Sequence, residues 1–362
     1  MENGLKYRNT GLDLFRVIAF FMVLITHSLF VLDKFNPKFR NFAFVGNLAL
    51  DMFYALSGFL IGNIFIKNFI ESDFTFKKVL EFLKNRWLKT LPTYYLIVLI
   101  SLVVSYSMHG NFQDFNPSFL VFLQNIHEAN FFFFPISYSL AIEEWFYLSF
   151  PLVFFSTHWL FKKASKKQIF LSITLFYIIF ATIFRFYKYF HFPDLHWDTA
   201  FRKSILTRFD ATSYGLILSY LNTYNKPFIE NNIRKIVAIG CAGIILSILA
   251  KMKVHNFLIY TLYFNFMPIS ITFVFVKFID LSPIKASFAG IFKEISLSSY
   301  CFYLVHLQLV YVPLSTYWHA QSLSEAFLQC ICMYILAIGL GYLLYRTVEV
   351  PMMKLKDNIR IS

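Results

Sequence analysis

The sequence predicts an all-α polytopic membrane protein, a single domain of about ten transmembrane helices without a soluble second domain. The 362-residue chain is 58% hydrophobic and only 15% charged, with 48 Phe and 22 Tyr. In a soluble domain, by contrast, about a quarter of the residues are charged. Apolar blocks of roughly 18–22 residues recur from end to end, and each is long enough to cross a hydrocarbon core of about 30 Å.

The ten predicted spans lie at residues 11–31, 46–66, 91–108, 137–160, 168–186, 205–222, 236–250, 257–277, 295–316 and 323–345. A further apolar segment at 118–134 is interrupted by polar side chains, and we therefore interpret it as re-entrant or interfacial. The interrupting residues are Gln124, Asn125, His127, Glu128 and Asn130.

Lysine and arginine residues outside the spans fall unequally on the two sides of the predicted membrane. Loops on the side of both termini hold 22 of them, whereas the opposite loops hold 9. Cytoplasmic loops of membrane proteins carry such an excess, so we expect both termini in the cytoplasm. The net charge of +13 is therefore a topology signal and does not indicate nucleic-acid binding.

The four cysteines all lie in apolar blocks and lack the spacing of metal ligands. We expect them to pack as small hydrophobic side chains, and we predict no metal site. They are Cys241, Cys301, Cys330 and Cys332.

The first span, GLDLFRVIAFFMVLITHS, carries an arginine and a histidine, which are costly in lipid. Eleven residues at about 100° each turn a helix about 20° past three full turns, so Arg16 and His27 share one face, about 16 Å apart along the axis. Arg16 can extend its head group to the membrane surface, whereas the short imidazole of His27 cannot. The shared face favours a common polar channel; the alternative is that both side chains only form hydrogen bonds between packed helices.

The next two spans bring further polar residues into the predicted membrane. The second span, NLALDMFYALSGFLIG, begins near Asp51 and is interrupted by Ser57 and Gly58. Small residues inside a span are typical of close helix packing, and Asp51 can cap the helix start. The stretch KNRWLKTLPTYY before the third span holds Arg86 and Lys89. A cationic pair there suits phosphate or lipid head groups, although an ordinary positive flank has the same composition.

The fourth span begins SYSLAIEEWFYLSF and holds two adjacent carboxylates. Ser139 and Glu143 are four residues apart and therefore lie on one helix face. Carboxylates followed by aromatic residues at a membrane boundary are costly, which favours a functional role for Glu143. Glu144 points about 100° away, and we expect it at the membrane interface.

Three later motifs also hold polar side chains. RFDATSYG suggests that Arg208 pairs with Asp210 near the outer surface, and RTVEVP ends the last span with Glu349, for which the alternative is a helix-end salt bridge. The motif SSYCFYLVHLQ spaces two tyrosines and a histidine by three residues along one helix, although a lone histidine is more often a structural hydrogen-bonding residue. These are Tyr300, Tyr303 and His306.

Together these motifs resemble the acyltransferase-3 family of bacterial integral-membrane O-acyltransferases over almost the whole chain. That family has an arginine, ten residues and then a histidine in its first span, as Arg16 and His27 have here. Its second, third and fourth elements are similar to ALDMFYALSGFLIG, NRWLKTLPTY and YSLAIEEWFY, and its last three are similar to RFDATSYG, SYCFYLVH and EVP. One such element is weak, but seven in the right order are specific.

The resemblance has two departures. Asn85 stands where the family has the first arginine of its basic loop, and Lys89 stands where it has the last. Tyr138 replaces a tryptophan of the family pattern. Both changes in the loop would weaken a bidentate phosphate clamp, because lysine lacks the planar fork of arginine.

The resemblance implies transfer of an acyl group, most often acetyl in this family, from cytoplasmic acyl-CoA to a sugar hydroxyl at the bacterial cytoplasmic (inner) membrane. It implies His27 as general base or transient acyl carrier, with Glu143 and Arg16 as catalytic partners. Arg86, Lys89 and Arg16 would bind the donor. Acceptor-binding or supporting roles fall to Asp51, Ser57, Ser139, Tyr147, Arg208, Asp210, Tyr303, His306 and Glu349.

The acceptor implied is a surface polysaccharide, a lipopolysaccharide or a lipid-linked glycan, and the other partners are acyl-CoA, membrane lipids and proteins of glycan assembly. No bound cofactor is expected. The alternative function is a transporter or flippase of a glycolipid or small solute, since ten spans with buried Arg, His and Glu suit a carrier too. The absence of paired halves with matching broken helices counts against it. A receptor or scaffold would not account for the polar residues in the spans.

Overall fold

The computed structural model describes residues 9–112, 115–129, 133–192, 194–253, 256–279, 281 and 286–355. Within these ranges the chain is helical, with short 3₁₀ and π-helical turns and no β-strand, which confirms the all-α prediction. The helices are α1 (Thr10–Leu32), α2 (Phe44–Phe65), α3 (Phe76–His109), α4 (Ser137–Leu160), α5 (Lys166–His191), α6 (Ser213–Tyr224), α7 (Lys226–Lys253), α8 (Phe257–Thr261), α9 (Tyr263–Ile279), α10 (Ala286–Val305), α11 (Val312–Tyr317), α12 (Leu323–Leu344) and α13 (Val350–Leu355).

Seven helical segments in the described part of the chain are long and apolar enough to cross a membrane, and they contain α1, α2, α3, α5, α7, α10 and α12. Three predicted spans do not meet that criterion. Helix α4 is long enough but less apolar, α6 has 12 residues, and α9 has 17. The count of ten spans therefore stays a prediction. The cytoplasmic placement of the termini also stays a prediction, and residues 1–8 and 356–362 lie outside the described ranges.

Two helices begin at positions other than the predicted span boundaries. The predicted third span, 91–108, lies inside α3, which already begins at Phe76 because its first turns bury Val79 and Leu83 in an apolar core. The predicted sixth span begins as a 3₁₀ turn at Leu206–Arg208, and α6 starts only at Ser213.

The predicted eighth span is broken into α8 and α9 at Leu262. The amides of Asn265 and Phe266 both bond to the Leu262 carbonyl, at 2.9 and 3.0 Å, so the hydrogen-bond pattern of a regular α-helix is interrupted there. The break places Asn265 next to Arg185 of α5. The side-chain oxygen of Asn265 accepts a hydrogen bond from the Arg185 guanidinium at 2.9 Å. The buried Arg185 therefore gains a hydrogen-bond acceptor at the point where the helix is irregular.

Helices α2 and α6 touch backbone to backbone through two glycines. A Cβ atom on Gly58 would lie 2.0 Å from the Thr212 carbonyl oxygen, and one on Gly215 would lie 2.1 Å from that of Ala55. Only glycine permits this approach, which is how small residues act between membrane helices. The packing role predicted for Gly58 is thus confirmed, and the neighbouring Ser57, about 100° away around α2, contacts Tyr147 of α4.

Helices α1 and α10 run parallel, with contacts in the same order along both. Arg16 donates to Ser296 at 3.0 Å, and further along the rings of His27 and His306 lie 4.9 Å apart. The predicted shared face of Arg16 and His27 is therefore the face that α1 turns toward α10 and the π-helical turn after it, His306–Tyr311.

The segment after α3 is irregular backbone inserted between helices, in agreement with its re-entrant or interfacial interpretation. Asn125 is completely buried and donates to the carbonyls of Tyr138 and Lys203, at 3.0 and 2.6 Å. Phe119 and Phe134 belong to the buried apolar core that surrounds it. Protein contacts thus satisfy backbone groups that lipid could not. Asn130 of this segment lies outside the described residues.

Candidate active site

A cavity of about 910 Å³ lies between α2, α3, α4 and α10, and we call it the central cavity. Its size is that of a pocket for an organic ligand. Helix α2 lines it from Leu50 to Ile64, about 21 Å at 1.5 Å per residue. Seven of the residues predicted for the site line it: Arg16, Ser57, Arg86, Lys89, Ser139, Glu143 and Tyr303.

The two ends of the central cavity differ in charge. One end, which we call the basic mouth, is lined by Lys78, Arg86 and Lys89 of α3. The other, the deep end, is lined by Ser139 and Tyr303, which carry no charge. The cavity therefore offers cations to an anionic ligand at its entrance and hydroxyl groups further in.

Glu143 sits in the wall between these ends within a compact polar cluster. Its carboxylate accepts hydrogen bonds from Tyr147 Oη and from Arg86, the latter at 3.3 Å. The Arg86 guanidinium also stacks 3.9 Å over the Tyr147 ring, and Ser57 contacts the Tyr147 hydroxyl. The side chain of Glu143 remains 17% exposed to the cavity. The structure thus joins four residues that the sequence placed on three separate helices.

Glu144 is buried, contrary to the expectation of an interfacial position. Its carboxylate accepts a hydrogen bond from Thr90 Oγ1 at 3.1 Å, and the Thr90 carbonyl accepts one from Tyr300 at 2.9 Å. Helix α4 is packed on two sides, so a residue 100° from Glu143 meets α3 and not the membrane interface. Thr90, a polar residue directly before the predicted third span, was the sequence signal that could have indicated this contact.

Lys89 and Glu349 form the salt bridge that was the alternative for the last span. Lys89 Nζ lies 3.8 Å from Glu349 Oε1, and Cys301 donates its thiol to the same carboxylate at 3.1 Å. Glu349 is 1% exposed, whereas Lys89 is 37% exposed at the cavity. Glu349 therefore supports Lys89 from inside the helix bundle, and Cys301 has a polar contact beyond the predicted packing role.

At the deep end, a hydrogen bond of 2.7 Å joins Ser139 Oγ and Tyr303 Oη. The Tyr303 ring lies 5.4 Å from that of His306, which in turn lies 4.9 Å from that of His27. His27 is therefore not a lining residue of the central cavity but stands two rings beyond it. The predicted tyrosine–histidine stripe joins the cavity to His27.

The two imidazoles each keep a nitrogen without a hydrogen-bond partner among the described residues. His306 Nδ1 lies 2.5 Å from the Tyr303 carbonyl oxygen, so this nitrogen carries the hydrogen and Nε2 is left as an acceptor. Buried Nδ1 of His27 is likewise unpartnered. Buried nitrogens in this state are able to accept a proton or a hydrogen bond from a ligand.

The predicted pair of Arg208 with Asp210 is wrong. Arg208 instead forms a buried ion pair with Asp51 of α2, and Asp210 binds Arg185 of α5 at 3.0 Å. Arg208 ends a 3₁₀ turn and Asp210 follows it, so their side chains leave the backbone in different directions. Arg185 lies within the predicted fifth span, and an ionisable residue inside a span is the signal that would have found it.

Comparison with known proteins agrees with this geometry. A family model described as an acyltransferase domain, that of the acyltransferase-3 family, matches residues 9–346. Glu349 lies just beyond that match. An uncharacterized protein of Haemophilus influenzae is 27% identical over 223 residues, which is 56% of this chain and 87% of that protein. No solved structure matches the chain. Because the family match extends over nearly all of the sequence, the chain belongs to the acyltransferase-3 family of integral-membrane acyltransferases.

Proposed function

We propose that the chain transfers an acyl group, acetyl above all, from cytoplasmic acyl-CoA to a sugar hydroxyl. The acceptor is a surface polysaccharide, a lipopolysaccharide or a lipid-linked glycan, and the reaction takes place in the bacterial inner membrane. The observation that carries this proposal is the central cavity, which leads from a basic mouth past Glu143 toward the paired imidazoles.

The donor enters at the basic mouth in this proposal. Coenzyme A ends in phosphate groups, and Arg86 and Lys78 offer them cationic hydrogen-bond donors there. Lys89 contributes less charge because Glu349 partly neutralises it. The slender pantetheine arm then extends along α2, so that the thioester reaches Ser139 and Tyr303 at the deep end.

Acyl transfer requires that a sugar oxygen lose a proton as it attacks the thioester carbon. His27 accepts that proton as general base, the new C–O bond forms, and the C–S bond breaks to release the CoA thiolate, which takes up a proton. In the covalent variant, a His27 nitrogen attacks the thioester carbon and the C–S bond breaks to release the CoA thiolate. The sugar oxygen then forms the C–O bond as the C–N bond breaks, and the imidazole leaves with the hydroxyl proton. Both variants need the thioester to pass Tyr303, which separates the cavity from the histidines.

Glu143 and Arg16 support the reaction from the cavity wall. Arg16 lines the cavity and donates to Ser296, so in this proposal its guanidinium faces the donor and binds phosphate or stabilises the oxyanion that develops on the thioester. Glu143 keeps Arg86 and Tyr147 in place and presents a carboxylate to the cavity.

The test is transfer of label from radiolabelled acetyl-CoA to a glycan by the purified chain, together with mass spectrometry of surface glycans from cells with and without it. His27→Ala should insert normally and abolish the gain of one acyl mass, whereas His191→Ala, at an exposed histidine that ends α5, should leave it unchanged. Full modification by His27→Ala would overturn the role of His27. Donor-independent flux of glycolipid would favour a carrier instead.

A further inference from the structure

A second group of cations lies at the opposite end of α2 from the basic mouth. It consists of Arg202, Lys203 and Lys251, arranged around Asp198 and Trp197, and we call it the distal cation cluster. Arg202 ends the π-helical turn Trp197–Arg202, and Lys251 comes from the end of α7. The proposed reaction, as derived above, does not use any of these residues.

Positive charge exceeds negative charge in the distal cation cluster. Asp198 shares its carboxylate between Arg202, whose Nε lies 2.5 Å from Oδ1, and Lys203. Lys251 places its ammonium 3.6 Å from the centre of the Trp197 ring instead of against a carboxylate of the described residues. Two cations thus share one carboxylate while the third, Lys251, lies against an aromatic ring, and the side chains of Arg202 and Lys203 are still 14% and 24% exposed.

Crowding of the cations also affects their protonation. Burial lowers the pKa of Lys203, and the neighbouring Arg202 lowers it further despite the opposing effect of Asp198. For Asp198, burial alone would raise the pKa, but Arg202 and Lys203 outweigh it and hold the pKa well below its ordinary value. An additional anion at this position would therefore relieve repulsion between cations.

The cluster lies next to the predicted catalytic residues but outside the central cavity. Arg202 donates to Tyr138 Oη at 2.5 Å, and the next residue, Ser139, holds Tyr303 at the deep end. A second cavity of about 10 Å³, room for one water molecule, is lined by Arg202 and Tyr138. Leu50 and Tyr54 line both cavities and thus form the wall between them.

The position of these charges is unusual for the predicted topology. The side of the membrane opposite the termini is expected to be poor in lysine and arginine. Three of the nine such residues on that side, Arg202, Lys203 and Lys251, nevertheless meet in this one cluster. Topology therefore does not account for the cluster, which points to a ligand.

We propose that the distal cation cluster binds an anionic group, a sugar carboxylate or a phosphate, of the acceptor glycan. This inference rests on the proposed function and deepens it: the acceptor is an anionic glycan that approaches from the end opposite the donor. Its charged group binds Arg202, Lys203 and Lys251, and its reacting hydroxyl faces His27. Two substrates that enter at opposite ends do not compete for the basic mouth.

The test measures binding of simple probes to the full chain in nanodiscs of phosphatidylcholine, without donor. The probes are octyl glucuronide, octyl glucoside and octyl phosphate, each followed by equilibrium dialysis. Octyl glucuronide or octyl phosphate should bind about ten-fold or more tighter than the neutral glucoside, with an affinity that falls as salt is raised. Preference for one of the two anions identifies the charged group as carboxylate or phosphate.

Variants locate the binding site. Lys203→Gln and Lys251→Gln should each remove most of the preference for the anionic probe, and Lys203→Arg should retain it. Lys38→Gln removes one charge from an exposed lysine on the same predicted side, outside the cluster, and should change nothing. Loss of octyl glucoside binding identifies a variant that has failed to fold. In that case the anion preference of Lys203→Arg is compared with that of the unsubstituted chain.

Equal affinity for the anionic and neutral probes would overturn the proposal. So would a preference that survives both glutamine variants, or displacement of octyl glucuronide by phosphatidylglycerol in the nanodisc, which would identify a lipid head group as the occupant. Failure of the proposed function has a different signature: the anion preference and its loss in the variants persist, while labelled acetyl-CoA gives no transfer to any probe.

Discussion

Two arginine–carboxylate pairs inside the helical bundle, Arg86–Glu143 and Arg185–Asp210, use the same chemistry in opposite surroundings. The side chains of Arg185 and Asp210 are both 0% exposed, whereas those of Arg86 and Glu143 are 24% and 17% exposed. Of the two pairs, only Arg86–Glu143 borders the central cavity. An ionisable pair in the membrane therefore does not by itself indicate catalysis; empty volume beside it is the second requirement.

The sealed pair is embedded in a network that holds helices together. Arg185 donates to the Thr207 carbonyl at 2.6 Å and to Asn265 at 2.9 Å, and Tyr214 donates to Asp210 at 3.0 Å. The Arg185–Asp210 pair thus joins α5, α6, α9 and the turn before α6. The family resemblance gave Asp210 an acceptor-binding or supporting role, and its bonds to Arg185 and Tyr214 are compatible with the supporting one.

The largest expected effect is on the sealed pair. Arg185→Met leaves the Asp210 carboxylate buried without a cation, which costs about 3–5 kcal/mol. We expect loss of most folded protein, measured by thermal unfolding of the detergent-purified chain. The double variant Arg185→Met/Asp210→Leu should recover most of the stability, because the unpaired charge is gone. A double variant no more stable than the single one would contradict this account.

Glu143→Gln should separate activity from stability at the open pair. The amide preserves shape beside the cavity, so the unfolding free energy should change by about 1 kcal/mol or less. Acyl transfer should fall by about 10²-fold or more, since the carboxylate that holds Arg86 and Tyr147 in the cavity wall loses its charge. Glu81→Gln, another carboxylate lining the same cavity, is the matched control and should retain transfer. Equal losses in both variants would remove the special role of Glu143.

Adjacent residues on α2 sharpen the same contrast. Gly58→Ala forces a Cβ against the Thr212 carbonyl and should cost about 1–3 kcal/mol of stability. Ser57→Ala removes a hydroxyl that contacts Tyr147 at the cavity and should cost about 1 kcal/mol or less. Thermal unfolding of both variants checks the order, and the reverse order would mean that α2 does not pack on α6 as described.

The smallest expected effect is at the basic mouth. Lys89→Gln removes a partly exposed cation, and Glu349 keeps its hydrogen bond from Cys301. The donor KM should rise about five-fold, equivalent to about 1 kcal/mol, with kcat unchanged. Steady-state kinetics with acetyl-CoA measures both constants. A fall in kcat at constant KM would show that Lys89 positions the reaction instead of binding donor.

Helical periodicity predicted which residues share a face but not which residues become partners. The spacing of Arg16 and His27 and that of Ser139 and Glu143 follow from 3.6 residues per turn, and the structure confirms both faces. The true partner of Arg208 is more than 150 positions away on α2, and no local pattern encodes such a contact.

Two further features depended on departures from regular helix geometry. The predicted sixth and eighth spans contain a 3₁₀ turn and a break, both imposed by tertiary contacts of buried charged residues. His306 and Glu349 lie in π-helical turns, which are common at functional sites but have no sequence signature. The motifs nevertheless identified seven of the residues that line the cavity, four of them ionisable, because ionisable side chains are rare in apolar spans.

The parallel contact between α1 and α10 has a consequence for biosynthesis. Arg16 and Ser296 are separated by 280 positions, so the ribosome completes the first helix long before its partner exists. A nascent or truncated chain that ends before α10 lacks one wall of the cavity as well as His306. If the proposed function is correct, acyl transfer begins only when insertion of the chain is nearly finished.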